Sequence, residues 1–198
     1  MENKVIINIG RQYGSGGRTI ASIIGEKLGI DVYDNELLLK AAEQSGVQPE
    51  FFRNNDEKKR FFSFGYSQNA INDEGLFKIQ SDTIRGIAEA GSAIFVGRAA
   101  DYVLRDMKCL NVFVCAPLEW RQKLVSSRSG MTLEDASKQI VKKDKSRESW
   151  YNFFTFGNWG VASNYDLCVD SSILGLEGTA DFIIEFAVRS GLLASPKN

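Results

Sequence analysis

"GRQYGSGGRTIA", Gly10 to Ala21, is the stretch on which the fold turns. Before it stands the β-branched run "VIINI" (5–9), which reads as a buried strand. After it Ile20, Ile23, Ile24 and Leu28 recur at helical spacing until Gly29 stops the helix. A strand, a glycine turn and a helix N-terminus aim several backbone N–H groups and the positive end of a helix dipole at one point, which suits an anion. The phosphate-loop spacing G-x-x-x-x-G-K-S/T is met only in part. With Gly16 as its second glycine, Arg11 falls at the first-glycine position, Gly17 at the lysine, and Thr19 two beyond it. The dinucleotide spacing G-x-G-x-x-G also fails, because Thr19 stands where its last glycine belongs. The stretch is therefore either a tight strand-to-helix turn or an anion cradle whose charge comes from Arg11 or Arg18 as a planar fork.

Working outward, short β-branched runs alternate with longer amphipathic ones, the pattern of crossover units and a mainly parallel sheet. Further strands are expected at "IDVYD" (30–34), "SAIFVG" (92–97), "CLNVFVCA" (109–116) and "YDLCVD" (165–170), with a helix through "NELLLKAAEQSG" (35–46). Ligands of open α/β sheets gather at the C-terminal strand ends, so the site is expected along that edge. Residues 49–75 have no clean period and read as an inserted cap, and 132–164, a charged helix running into an aromatic loop, reads as a lid. No linker divides the chain, which is expected to form one domain over 1–198.

Composition narrows the chemistry. The 198 residues are 43% hydrophobic and 25% charged, with a formal net charge of -1, so there is no global pull toward nucleic acid or anionic lipid. Histidine is absent, which removes Ser-His-Asp and Cys-His machinery and histidine-based metal sites. The three cysteines have neither CxxC-type spacing nor an even count, so neither a zinc site nor a disulfide framework is expected. The opening apolar run is too short for a signal peptide and no run approaches a membrane span, so the expected setting is the cytoplasm, without a membrane partner. Catalysis would fall to carboxylates, lysine, arginine, hydroxyls or backbone.

The motifs carry a resemblance. "GSGGRTIASIIGEKLGIDVYDNELL" (14–38), "AIFVGRAADYVL" (93–104) and "YDLCVDSSILGLEGTADFI" (165–183) resemble segments of the cytidylate kinases. "YGSGGRTIA", "VGRAADYVL" and "WGVASNYDLCVDSS" resemble more closely the cytidylate kinase-like group. The resemblance implies an α/β fold: a P-loop kinase-like three-layer sandwich with a five-stranded parallel sheet, a nucleoside monophosphate-binding insert and a helical lid. It implies ATP and Mg2+ as cofactors and a nucleotide or small phosphorylated substrate as partner. Carried over by position, Arg11, Gly14, Ser15, Gly16, Gly17 and Thr19 fall in the donor-phosphate loop. Asp34, Asn35, Lys40 and Arg98 fall at acceptor-contacting positions. Each has an ordinary alternative: Asp34 as a helix N-cap, Lys40 as an exposed helix lysine, Arg98 as half of a structural ion pair. The aspartates that flank "GR" in cytidylate kinases are replaced by Val96 and Ala99.

In the lid, "KKDKSRES" (142–149) loosely echoes the family's R-D-x-x-D-x-x-R arrangement, with Lys143, Asp144 and Arg147 the best matches. Arg121, Arg128, Lys142 and Lys145 are further basic candidates there. The aromatic run "WYNFFTFGNWG" (150–160) either packs on the core or a subunit, or stacks on a base. Asp170 either caps the helix after it or helps hold magnesium or a ribose. Two functional classes follow. One is a phosphotransferase whose charge is neutralised by Arg18, Arg98 and Arg147, with Arg11 at the loop. The other is a nucleotide- or anion-binding protein that kept the cradle and lost turnover, which the missing loop lysine favours: removing one preorganised cation costs on the order of two to three powers of ten in rate unless an arginine replaces it.

Overall fold

A computed structural model describes residues 4–34 and 70–193. Five strands form one sheet: β1 (Ile6–Arg11), β2 (Val32–Tyr33), β3 (Ala93–Val96), β4 (Leu110–Cys115) and β5 (Leu167–Asp170), in the order β2-β3-β1-β4-β5. Every pairing is parallel, with Ile9 beside Val96, Arg11 beside Val114, Val114 beside Val169 and Tyr33 beside Phe95. The strand positions expected from sequence all hold a strand, shorter than its apolar run at most ends. The parallel sheet over residues 6–170 is as expected.

The helices are α1 (Gly17–Leu28), α2 (Ala70–Ala90), α3 (Ala100–Val103), α4 (Leu118–Ser129), α5 (Leu133–Thr155) and α6 (Ser171–Arg189) among the described residues. Period-two alternation assigns them to layers. Ile7 and Ile9 of β1, Ile94 and Val96 of β3, and Val112 and Val114 of β4 pack with α1 (Ile20, Ala21, Ile24) and α6 (Ala180, Ile183, Ala187). The intervening Ile6 and Phe95 face the other way, onto Ile84 and Ala88 of α2 and Val103 of α3. Each isoleucine so buried contributes about 1.5–3 kcal/mol, which fixes the register because a one-residue slip would exchange the two faces. The C-terminal helix, whose apolar face could have met the sheet or another subunit, packs on the sheet beside α1.

Two boundaries differ from expectation. The segment read as an inserted cap ends inside a helix, since α2 begins at Ala70; the rest of that segment, and the helix expected over 35–46, lie outside the described residues. In 132–164, the segment read as a lid, the helix α5 runs on through the first aromatic residues to Thr155 before the loop begins, and Thr132 caps it, its hydroxyl accepting the Asp135 N–H at 3.1 Å. No described helix is long and apolar enough to cross a membrane. All five strands end on the edge that carries the glycine loop, and β1 lies where the strand order reverses, the usual crevice of an open α/β sheet.

Candidate functional site

The loop between β1 and α1 holds its shape internally. Gly14 and Gly16 adopt φ of 81° and 79°, a left-handed conformation that glycine supplies without steric cost. Ser15 is fully buried and turned inward. Its Oγ lies 2.9 Å from the Gln12 carbonyl and 3.0 Å from that of Val114, its N–H donates to Gln12, and its carbonyl accepts the Ser171 hydroxyl at 2.7 Å. Ser15, expected to touch the donor, braces the loop from beneath. Gly16 is the N-cap of α1 and has no side chain to cap it, so the first N–H groups of α1 point out of the loop without an intrahelical acceptor. Thr19, in the first turn of α1, is exposed.

Three arginines converge beside this loop. Arg11 ends β1, Arg98 follows β3, and Arg147 comes from α5, donating to the Arg11 carbonyl at 2.9 Å. Arg98 is 3% exposed, with its guanidinium carbon 5.6 Å from the centre of the Trp150 ring; that of Arg147 lies 5.3 Å from the Tyr13 ring. Burial, then repulsion from Arg147 and Arg98, lowers the Arg11 pKa well below the ordinary guanidinium value. Burial and the neighbouring Arg147 push Arg98 down to about 9, and burial holds Arg147 at about 10. All three remain cations at neutral pH. The backbone here is strained: Gly97, Arg98 and Ala99 have φ of 75°, 61° and 51° in succession. For the two non-glycine residues that costs on the order of 1–3 kcal/mol each, the kind of strain that clusters at functional sites.

Arg11, Arg98 and Arg147 line a cavity of about 20 Å³ together with Gly97, Asp101 and Tyr151. Such a space takes about one water molecule. Asp101 accepts the Tyr151 hydroxyl at 2.7 Å, and burial raises the pKa of both groups. Sequence reasoning did not mark Asp101 and took Tyr151 only as one of the aromatic run, because nothing in "GRAAD" or that run tells which side chain turns into the cavity.

Other expected residues are distributed more widely. Arg18 lies outside the cavity lining, 63% exposed and paired with Asp34 at 2.6 Å; Asp34, at the end of β2, is 8% exposed. Asn35 and Lys40 lie outside the described residues. On α5 Asp144 is the anchor: Oδ1 accepts the Tyr13 N–H at 2.6 Å and Oδ2 pairs with Arg121 at 2.7 Å. Buried Arg121 also donates to the Ala116 and Tyr13 carbonyls, so it ties α4 to the loop. Lys143 is half-buried, while Arg128, Lys142 and Lys145 are exposed and solvated. Asp170 caps α6, accepting the Ser172 N–H at 2.8 Å. The aromatic run packs: Trp150 and Phe154 on Phe77 of α2, and Trp159 with Tyr165 on Phe113 of β4. A wider cleft, about 560 Å³, opens between α4, α5 and Trp159.

A parallel sheet with an uncapped glycine loop at its reversal point and cations at the strand ends defines a P-loop kinase fold. Solved structures agree: the chain aligns at TM-score 0.56 and 13% identity with a shikimate kinase from Bacteroides thetaiotaomicron, covering 96% of this chain and 99% of that one. It aligns at TM-score 0.74 and 27% identity with an uncharacterized protein from Eubacterium ventriosum, covering 92% and 98%. Residues 6–173 match the cytidylate kinase-like family, and the chain belongs to it. Among its relatives, the cytidylate kinase of Methanopyrus kandleri is 30% identical over 178 residues, 85% of each chain. That of Pyrobaculum aerophilum is 24% identical over 94% of each.

Proposed function

We propose that this protein is a phosphotransferase that moves the terminal phosphoryl group of ATP to a nucleoside monophosphate or a similar small phosphorylated acceptor. The observation that carries the reading is the meeting, under one lid helix, of an uncapped loop-to-helix turn with Arg11, Arg98 and Arg147. Phosphoryl transfer asks for alignment, charge neutralisation and exclusion of water rather than covalent chemistry, and needs no strong general base. The N–H groups at the start of α1 would hold the donor phosphates. Arg98, at the end of β3 on the side of Asp34, would hold the acceptor phosphate, and α5 with Trp150 and Tyr151 would close over both.

Among the described residues no three Asp, Glu, Cys or His side chains converge as a metal cage. That fits Mg2+ carried in on the donor, held mainly by phosphates and water and neutralising charge between them. Val96 and Ala99 are buried and present no polar side-chain group, so cytosine recognition through the positions flanking "GR" is not part of the reading.

The competing reading, a nucleotide-binding protein without turnover, is favoured by Gly17 at the lysine position. A steady-state assay of ADP release from MgATP with CMP, dCMP, UMP, AMP and GMP in turn separates the two. The expected result is acceptor-dependent release with at least one monophosphate. ATP binding by calorimetry with no release above the acceptor-free rate for any of them would leave the binding protein.

A further inference from the structure

We infer that Arg11 is the cation of this phosphate loop, and that Gly17 and Gly97 are the channel through which its side chain reaches the transferred group; the inference rests on the phosphotransfer reading of the site. In an ordinary loop a lysine at the start of the helix reaches the β- and γ-phosphates. Here that position is glycine, and the space is filled. A Cβ built at Gly17 comes 2.7 Å from Arg11 Cβ and 3.0 Å from its Cγ, closer than packed carbons approach, so the arginine stem occupies the exit a lysine would take. The head runs on to β3, where a Cβ at Gly97 would overlap Arg11 Nη1. The guanidinium thus spans from the donor loop to the residue preceding Arg98, the interval in which a phosphoryl group passes from donor to acceptor.

Among the described residues no carboxylate forms an ion pair with Arg11, and its near neighbours Arg147 and Arg98 repel it more than Asp34 attracts it. A crowded, partly buried cation of this kind is expensive unless a ligand completes it. Arg18, the other candidate from sequence, is exposed and already paired with Asp34. The two glycines gain a reason as well. Gly97 takes a φ of 75° that favours glycine and leaves the guanidinium room to lie over it, and Gly17 must be small because the stem crosses it.

It follows that restoring the missing lysine harms the enzyme. Four variants are measured for kcat, KM and thermal midpoint: Arg11→Met, Arg11→Lys, Gly17→Lys, and the paired change Arg11→Gly with Gly17→Lys. Arg11→Met is expected to lower kcat about 100- to 1,000-fold, the size seen when one preorganised transition-state donor is removed, with KM changed much less. Arg11→Lys should recover part of that loss. Gly17→Lys alone should fall as far as Arg11→Met, while the paired change, which vacates the stem before adding the lysine, should recover at least about tenfold over Gly17→Lys, within the same catalytic range. A folded Gly17→Lys protein with wild-type or higher kcat, or an Arg11→Met protein within about threefold of wild type on that scale, would overturn the inference.

If the wild type transfers no phosphoryl group, the phosphotransferase reading fails on its own, and Arg11 is judged by binding. Sodium tripolyphosphate titrated calorimetrically into wild type, Arg11→Met and Arg18→Ala should then lose affinity only with Arg11→Met. Equal binding by Arg11→Met and wild type, or none by the wild type, would sink the role assigned to Arg11.

Discussion

α1 ends on Gly29, α4 on Gly130 and α5 on Phe156, each in the left-handed conformation with φ of 65°, 69° and 53°. Glycine takes that conformation freely, whereas any other L-residue gives up about 1–2 kcal/mol. The Phe156 side chain is 93% exposed and recovers little of this through packing. Phe156→Gly is therefore expected to stabilise the protein by about 0.5–1 kcal/mol, after allowing for the greater freedom of glycine in the unfolded chain. At about 2–4 °C per kcal/mol for a domain of this size, calorimetry should show the midpoint rising by about 1–4 °C. A lower midpoint would mean that the ring makes a stabilising contact in solution. The same conformation at Arg98 and Ala99 serves differently, since both side chains are buried and the turn sets the Arg98 guanidinium against Trp150.

At the scale of elements, α5 is held to the loop by two residues one turn apart. Asp144 accepts the Tyr13 N–H and pairs with buried Arg121, and Arg147 donates to the Arg11 carbonyl. Asp144→Ala would leave Arg121 buried without its carboxylate. Breaking a well-buried pair costs about 3–5 kcal/mol, and the partial exposure of this one brings the expected loss to about 2–3 kcal/mol. Urea unfolding should show that loss for Asp144→Ala and much less for Asp144→Ala combined with Arg121→Met, which removes the stranded charge. Equal losses in the two variants would mean that Asp144 acts through Tyr13 alone.

The order of elements was readable because isoleucine periodicity and Gly29 act locally: Ile20, Ile23, Ile24 and Leu28 can face a sheet only as a helix. Helix α2 was not anticipated: an aromatic, charged stretch with no period runs into Ala70 and obscured it, although Ile79, Thr83, Ile84 and Ala88 carry a helical spacing further on. The site was readable to the extent that residue type decides it. Arg98 and Arg147, singled out by residue type, line one cavity beside the glycine loop, and Asp144, named among the charges of 142–149, pairs with Arg121. What stayed hidden was direction. That Arg11 crosses Gly17, that Ser15 turns inward and that Asp101 faces the cavity depend on which elements meet, and no local pattern encodes them.

For the whole molecule, a net charge of -1 spread over the surface coexists with a cluster of three guanidinium groups at one edge of the sheet. The balance cannot attract anions generally, so stabilisation by an anion reports on the cluster. An anion that binds only the folded state stabilises by about 2.7 kcal/mol at a hundredfold excess over its Kd, roughly 5–10 °C of midpoint for this size. Pyrophosphate should produce such a rise, and sodium chloride at equal ionic strength should not, because screening only weakens the mutual repulsion of the cluster. Arg11→Met separates repulsion from binding. Without ligand its midpoint should match or exceed that of the wild type, since one of three repelling cations is gone, while its increment with pyrophosphate should shrink to less than half. That pairing, a variant more stable when empty and less stabilised when loaded, is the signature of a charge kept for a ligand. A ligand-free midpoint well below wild type, with the full pyrophosphate increment retained, would make Arg11 a structural residue of β1.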